Sequence, residues 1–252
     1  MSFTFNYVNS DDLGLVVEKY PDRVFPQRKA EVFDIPGRSG DLVVDDDAFS
    51  NVVQPYEVYI SGGVSGMQQR AREIAHWLLN AKGYGRLTDS YTPGVYRNAR
   101  VVGGASFLNA LNKFGRGVLE FDCKPQRFPT DEEVLTGTFG TSFAIVRAGE
   151  LFDGYPLIEI SNFTTACSGY LKVINAQGTT LCTITIPEQT EDRSIITIDF
   201  ETEAISGLPS RPLAVTINGK MTKLGLGCTI QTVLETGTTP PTVNIKTRRF
   251  YL

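Results

Sequence analysis

A chain of 252 residues, 41% apolar and 21% charged, has an ordinary globular composition and is long enough for two modest domains or one large β fold. Its net charge of −4 divides into 0 over residues 1–129 (15 basic, 15 acidic) and −4 over 130–252 (9 basic, 13 acidic), which excludes a general attraction to nucleic acid or anionic lipid. No run approaches the ~18 apolar residues of a membrane helix, the amino-terminal MSFTFNYVNSDDLGL lacks the pattern of a signal peptide, and Cys123, Cys167, Cys182 and Cys228 lack zinc-site spacing, so free buried thiols of a protein made in the cytosol are expected.

Many Val, Ile, Thr, Phe and Tyr residues, with 24 Gly and 13 Pro, favour strands and turns. Residues 3–8 alternate Phe3, Phe5 and Tyr7 against polar neighbours and read as a first strand. Asn9 to Asp12 form a turn cluster, and residues 13–20 a second strand. A connector with Pro21 and Pro26 leads to a third strand, 28–35, then the tight turn Pro36-Gly37-Arg38-Ser39-Gly40-Asp41 and a return strand capped by Asp45-Asp46-Asp47. Residues 52–61 are a further strand, in which Pro55 marks an edge or a bulge.

One strong helix follows. Ser65 and Gln68 have capping-box spacing, Met67, Ala71, Ile74, Ala75 and Leu78 form one stripe widened by Trp77 and Leu79, and Gly83 ends it. The stripe is expected to pack on the sheet through Ile74, Trp77 and Leu78; truncating Ile74 or Leu78 opens a cavity costing roughly 2–5 kcal/mol. Residues 85–91 and 95–103 read as strands around Thr92-Pro93-Gly94. The stretch 104–128 then closes a first domain: Val118, Glu120 and Asp122 alternate with Leu119, Phe121 and Cys123, and Pro125 is expected to stop the ladder.

Past Pro129 the texture changes. Residues 130–143 read as a linker between a domain over 1–129 and a second over 144–243. In the second, short strands at 157–161, 169–175, 180–186, 194–199, 213–217 and 228–233 predict an all-β sandwich, with Asn218-Gly219 as a turn. The last strand, 243–252, either completes the second domain as 144–252 or joins the first through 244–252. No internal repeat is visible.

Candidate chemistry is sparse. His76 has no partner motif, Asp45-Asp46-Asp47 lacks an EF-hand frame, and Gly62-Gly63-Val64-Ser65-Gly66 lacks a phosphate-loop lysine. No Gly-x-Ser-x-Gly elbow occurs, so no catalytic, metal or cofactor residue is assigned and the chain reads as a non-enzyme. Phe139, Phe143, Phe152, Tyr155, Phe163 and Tyr170 could stack on a sugar, though strand-like contexts favour a role in the core.

Taken in order, LGLVVEKYP, DIPGRSGDLVVDD, YEVYISG before a helix ending in WLL, LTDSY and LNKFGRGVLEFDCKPQRF resemble the distal tail protein (Dit) family of long, flexible-tailed bacteriophages over residues 1–129. DGYPLIEI, TIDFETEAI, LAVTINGK and a terminal aromatic strand are similar in plan to that family's galectin- or carbohydrate-module-like β-sandwich. The resemblance implies a mainly β protein: an amino-terminal β-sandwich-like domain with one helix and a protruding hairpin, then a second β-sandwich. It further implies a homohexameric ring at the distal end of the virion tail, with a channel through which DNA passes in transit. Its neighbours would be the major tail-tube protein and a tail-tip or tail-associated lysin protein. Receptor-binding proteins are a further partner, but the second half carries no long insertion to grip them. No cofactor and no membrane partner are implied. The hairpin, tipped by Gly37 and Gly40, would reach the next copy through Ile35, Arg38, Asp41 and Leu42, with Arg38 and Asp41 pairing across the contact. The residues alone leave equally open a hairpin packed on its own domain. The alternative function is a carbohydrate-binding module that recognises the host cell surface.

Overall fold

Every strand pair described is antiparallel, as short alternating strands joined by tight turns require. The computed structural model describes residues 1–19, 21–61, 66–104, 115–146, 151–210 and 213–252. It is mainly β and divides into two units, Met1–Thr130 with Leu252, and Asp131–Tyr251.

In the first unit, β1 (Phe3–Phe5), β2 (Val8–Asn9) and a 3-10 turn (Ser10–Leu13) precede β3 (Leu15–Val17). Then come β4 (Arg28–Phe33), β5 (Leu42–Phe49), β6 (Val52–Ile60), helix α1 (Met67–Asn80), β7 (Gly85–Asp89), β8 (Val95–Val102) and β9 (Arg116–Pro129). Seven of these strands form one sheet in the order β2-β1-β7-β8-β9-β6-β3. Phe3 of β1 stacks on Tyr56 of β6 at 5.1 Å, although three strands lie between them. A flat sheet would hold them roughly 19 Å apart, so this sheet curls until β1 and β6, each next to an edge strand, face each other. Phe121 fills the fold of the curl, against Phe5 at 5.1 Å, Phe3 at 5.5 Å and Tyr56 at 5.8 Å.

Helix α1 covers the open side with the buried stripe Ala71, Ile74 and Leu78. Trp77, half-buried, donates from Nε1 to the Phe5 carbonyl at 3.1 Å and stacks on Phe3 at 5.8 Å. Leu79 does not widen this stripe; it is exposed. The expected capping serine, Ser65, lies outside the described residues, and the helix is capped by the left-handed Gly66 without a side-chain hydrogen bond. At its other end the chain turns extended at Ala81, before Gly83.

Pro125 does not stop β9. The β8 partner drops out of step between Arg97 and Ala99, so residues 124–126 bulge and the missing N–H of Pro125 breaks no ladder bond. Pro55 lies on the part of β6 that extends beyond β3 and pairs with β9 alone.

The second unit contains β10 (Val134–Thr138), β11 (Ser142–Ala144), β12 (Leu157–Phe163), β13 (Ser168–Ile174) and β14 (Thr180–Ile186). It continues with β15 (Arg193–Asp199), β16 (Ala204–Leu208), β17 (Thr216–Gly219), β18 (Thr229–Thr236) and β19 (Thr242–Lys246). They form two five-stranded sheets, β10-β19-β12-β15-β16 and β11-β18-β13-β14-β17. Between them Ile158, Ile160, Ile198 and Ile245 of one sheet meet Leu171, Val173, Ile184 and Ile230 of the other.

Three expectations meet the structure here. The stretch expected as a linker is structured: its Gly- and Thr-rich residues supply β10 and β11, edge strands of the two sheets. The last strand, left between two placements, pairs as β19 between β10 and β12 in the second unit. Asn218 and Gly219 lie within β17 and not in a turn.

All four cysteines are buried and free. Burial pushes the Cys123 thiol up to about 11, far from the thiolate that reacts. Treated with a thiol reagent at pH 8, the native protein is expected to release no signal, and all four sites to react after denaturation; labelling of the folded protein would contradict this packing.

Candidate functional site: an exposed two-stranded arm

Strands β4 and β5 pair only with each other among the described residues. Every residue of β4 is exposed. At ~3.3 Å per residue the eight residues of β5 give an arm roughly 26 Å long.

Residues opposite each other in a ladder share a face, so the register defines both surfaces of the arm. Phe33, Leu42 and Val44, with Glu31, lie on one; Val32 and Val43, with Ala30 and Asp45, lie on the other. Solvent reaches 47%, 40% and 45% of the first three and 60% of each of the two valines. A hairpin alone is marginal in water, and one whose two faces are both apolar and both wet is a surface built to be covered.

At the tip, Gly37 and Gly40 adopt left-handed φ values of +83° and +84°, with nothing within 4 Å of where a Cβ would sit. Conformation, not space, calls for glycine there. The Ile35 carbonyl accepts from the Arg38 amide at 3.1 Å, and Ile35 is half-buried. Arg38 and Asp41 are exposed and make no ion pair among the described residues. Of the residues singled out from sequence, Ile35, Gly37, Arg38, Gly40, Asp41 and Leu42 thus lie together on the arm, while Ile74, Trp77 and Leu78 belong to the unit's core.

The apolar surface itself, Val32, Phe33, Val43 and Val44 beside Leu42, was not anticipated. Its signal is present in the sequence, as apolar residues at consecutive positions on both strands. Asp45 to Asp47 are not a cap; they lie inside β5, where Asp45 pairs with Arg28 at 2.8 Å and Arg28 covers the Phe49 ring at 5.1 Å.

The aromatic platform considered for sugar does not form as a group. Phe139, Phe143 and Phe163 are buried in the sandwich core, Phe152 stacks on Phe250 at 5.7 Å, and Lys172 and Lys223 lie over the rings of Tyr170 and Tyr155. Among the described residues no three His, Cys, Asp or Glu side chains gather as metal ligands, and no helix is long and apolar enough to cross a membrane.

The curled sheet covered by helix α1, the two-stranded arm and the sandwich of the second unit have a counterpart among solved structures. The chain aligns over 99% of its length, and 99% of the other's, with the crystal structure of the Dit protein (gp 19.1) of phage SPP1, at a TM-score of 0.71 and 14% identity. That protein is described as a paradigm of the hub adsorption apparatus in phages that infect Gram-positive bacteria. The Dit-type fold expected from the sequence motifs is therefore the fold this chain has. Two structures of the phage P2 baseplate in its activated conformation, with Ca and with Sr, align at a TM-score of 0.46 and 10% and 11% identity, over 92% of this chain and 90% of theirs. No family model matches the sequence, and no curated protein matches it either.

Proposed function

We propose that this chain is a non-catalytic structural hub at the distal end of a phage tail, where copies of it close into a hexameric ring. The ring joins the tail-tube protein on one face to a tail-tip or tail-associated lysin protein on the other and leaves a channel for DNA. Receptor-binding proteins, if they dock, do so on other surfaces than a long inserted arm of the second unit. The observation that carries this reading is the arm, apolar and solvent-facing on both sides in the single chain; a neighbouring copy in a closed ring would cover it. The fold shared with a tail hub supports the same conclusion.

Negative-stain microscopy and light scattering of the purified protein test it. Closed rings, alone or with the tube protein added, are the expected result. A monomer at every concentration, with and without that protein, would overturn the proposal.

A further inference from the structure

The arm joins the first unit through residues 21–27, and the side chains holding this connector are an unexpected choice. Arg97 of β8 and Arg127 of β9 lie directly opposite each other in the ladder, only 7% and 3% exposed. Like charges so placed repel, and a buried guanidinium ordinarily has a carboxylate partner. Among the described residues neither has a carboxylate oxygen within 4.0 Å. The Asp89 carboxylate is engaged by the Thr92 amide and hydroxyl and by the Tyr56 hydroxyl.

This arrangement is costly. Burial first, then Arg97 and Arg23, lower the Arg127 guanidinium from its usual range to about 10. A cation whose folded pKa is depressed opposes folding at neutral pH, and that cost is relieved only as pH rises through about 10.

What the pair does with its donors is specific. Arg127 donates to the Val24 carbonyl at 3.1 Å. Arg97 donates to Gln54 Oε1 at 3.3 Å, and Gln54 Nε2 donates onward to the Asp22 carbonyl at 3.2 Å. Sheet side chains therefore grip the connector at two backbone carbonyls two residues apart, Asp22 and Val24. Beyond them the Ser50 amide closes the base of the arm onto the Gln27 carbonyl at 2.8 Å.

We propose that Arg97, Gln54 and Arg127 form a socket that fixes the direction in which the arm leaves the first unit. They are positioning residues, acting on the arm through the connector; two facing cations at this point serve orientation at the expense of stability. The inference rests on the arm being the contact between copies, since only then does its direction matter.

The test separates the two. Spin labels on Ser39→Cys at the tip and Lys82→Cys on the body of the first unit report the arm's direction in the full chain, and the four native thiols are buried away from the label. The parent should give one narrow distance distribution. Arg127→Met is expected to melt at or above the parent's temperature, lose the narrow distribution and form fewer rings. Gln54→Met, which removes the second grip, should lose the narrow distribution too, and decides alone if Arg127→Met does not fold. A narrow distribution kept in either folded variant would overturn the socket. Failure of the parent to form rings would sink the hub reading instead, while the distance measurement on the monomer would still decide whether the socket exists.

Discussion

Aspartate at both Val32 and Val43 is expected to leave a folded monomer and abolish the ring. The five apolar side chains of the arm are roughly half-exposed, so covering the remainder is worth about 1 kcal/mol each, roughly 5 kcal/mol per contact. That is about three to four decades in association constant before any hydrogen bond is counted. V32D/V43D removes two of the five and asks a neighbour to bury two unpaired carboxylates, which costs several times more. The core of the unit is untouched, because both side chains already face water; the two carboxylates are cross-strand partners, so their repulsion should cost the arm about 1 kcal/mol and leave the rest of the unit folded. Arg38→Ala or Asp41→Ala, at the tip, should weaken association by less than about 1 kcal/mol, the scale of an exposed ion pair. Light scattering with a melting curve on the same samples checks all three, and a double variant that still associates would locate the contact elsewhere.

Phe121→Ala is expected to cost the first unit about 3–5 kcal/mol, the largest loss of any single truncation there. Phe121 is fully buried and meets Phe3, Phe5 and Tyr56, so it touches β1 and β6 at once across the curl. No neighbour can collapse into the space without uncurling the sheet, and the cavity persists. Leu79→Ala on the helix, where the side chain faces water, should cost no more than about 0.5 kcal/mol. Denaturant titration distinguishes the two; similar midpoints would contradict the curl.

The elements that could be read from sequence were those whose pattern and burial agree. Strand β14, Thr180–Ile186, alternates Cys182, Ile184 and Ile186 inward against threonines, and its expected bounds match. The helix was legible for the same reason, with Ala71, Ile74 and Leu78 on one stripe. Strand β10 was missed because glycine reads as a break. Gly137 nevertheless pairs with Val243, and a Cβ there would come within 2.8 Å of the Phe143 ring, so its absence makes room for that ring. Pro125 misled in the opposite direction, since it sits in a bulge of β9 itself, where the register against β8 shifts, and that shift is a tertiary event. The arm is the most instructive case. Its turn chemistry was plain, so attention fell on the tip, whereas apolar residues on both faces of a strand look the same whether a core or another molecule covers them. Only the fold shows Val32 and Val43 in water.

The neighbouring positions of β10 and β19 have one more consequence. Val134 faces Lys246 and Thr138 faces Thr242, so the outermost strands of the second unit run side by side and its boundary residues are drawn together. A module whose ends meet can be cut out, permuted or exchanged for another of similar footing with little disturbance to the chain on either side. The sandwich is thus a cassette whose sequence can diverge while the curled sheet and its arm keep their own geometry.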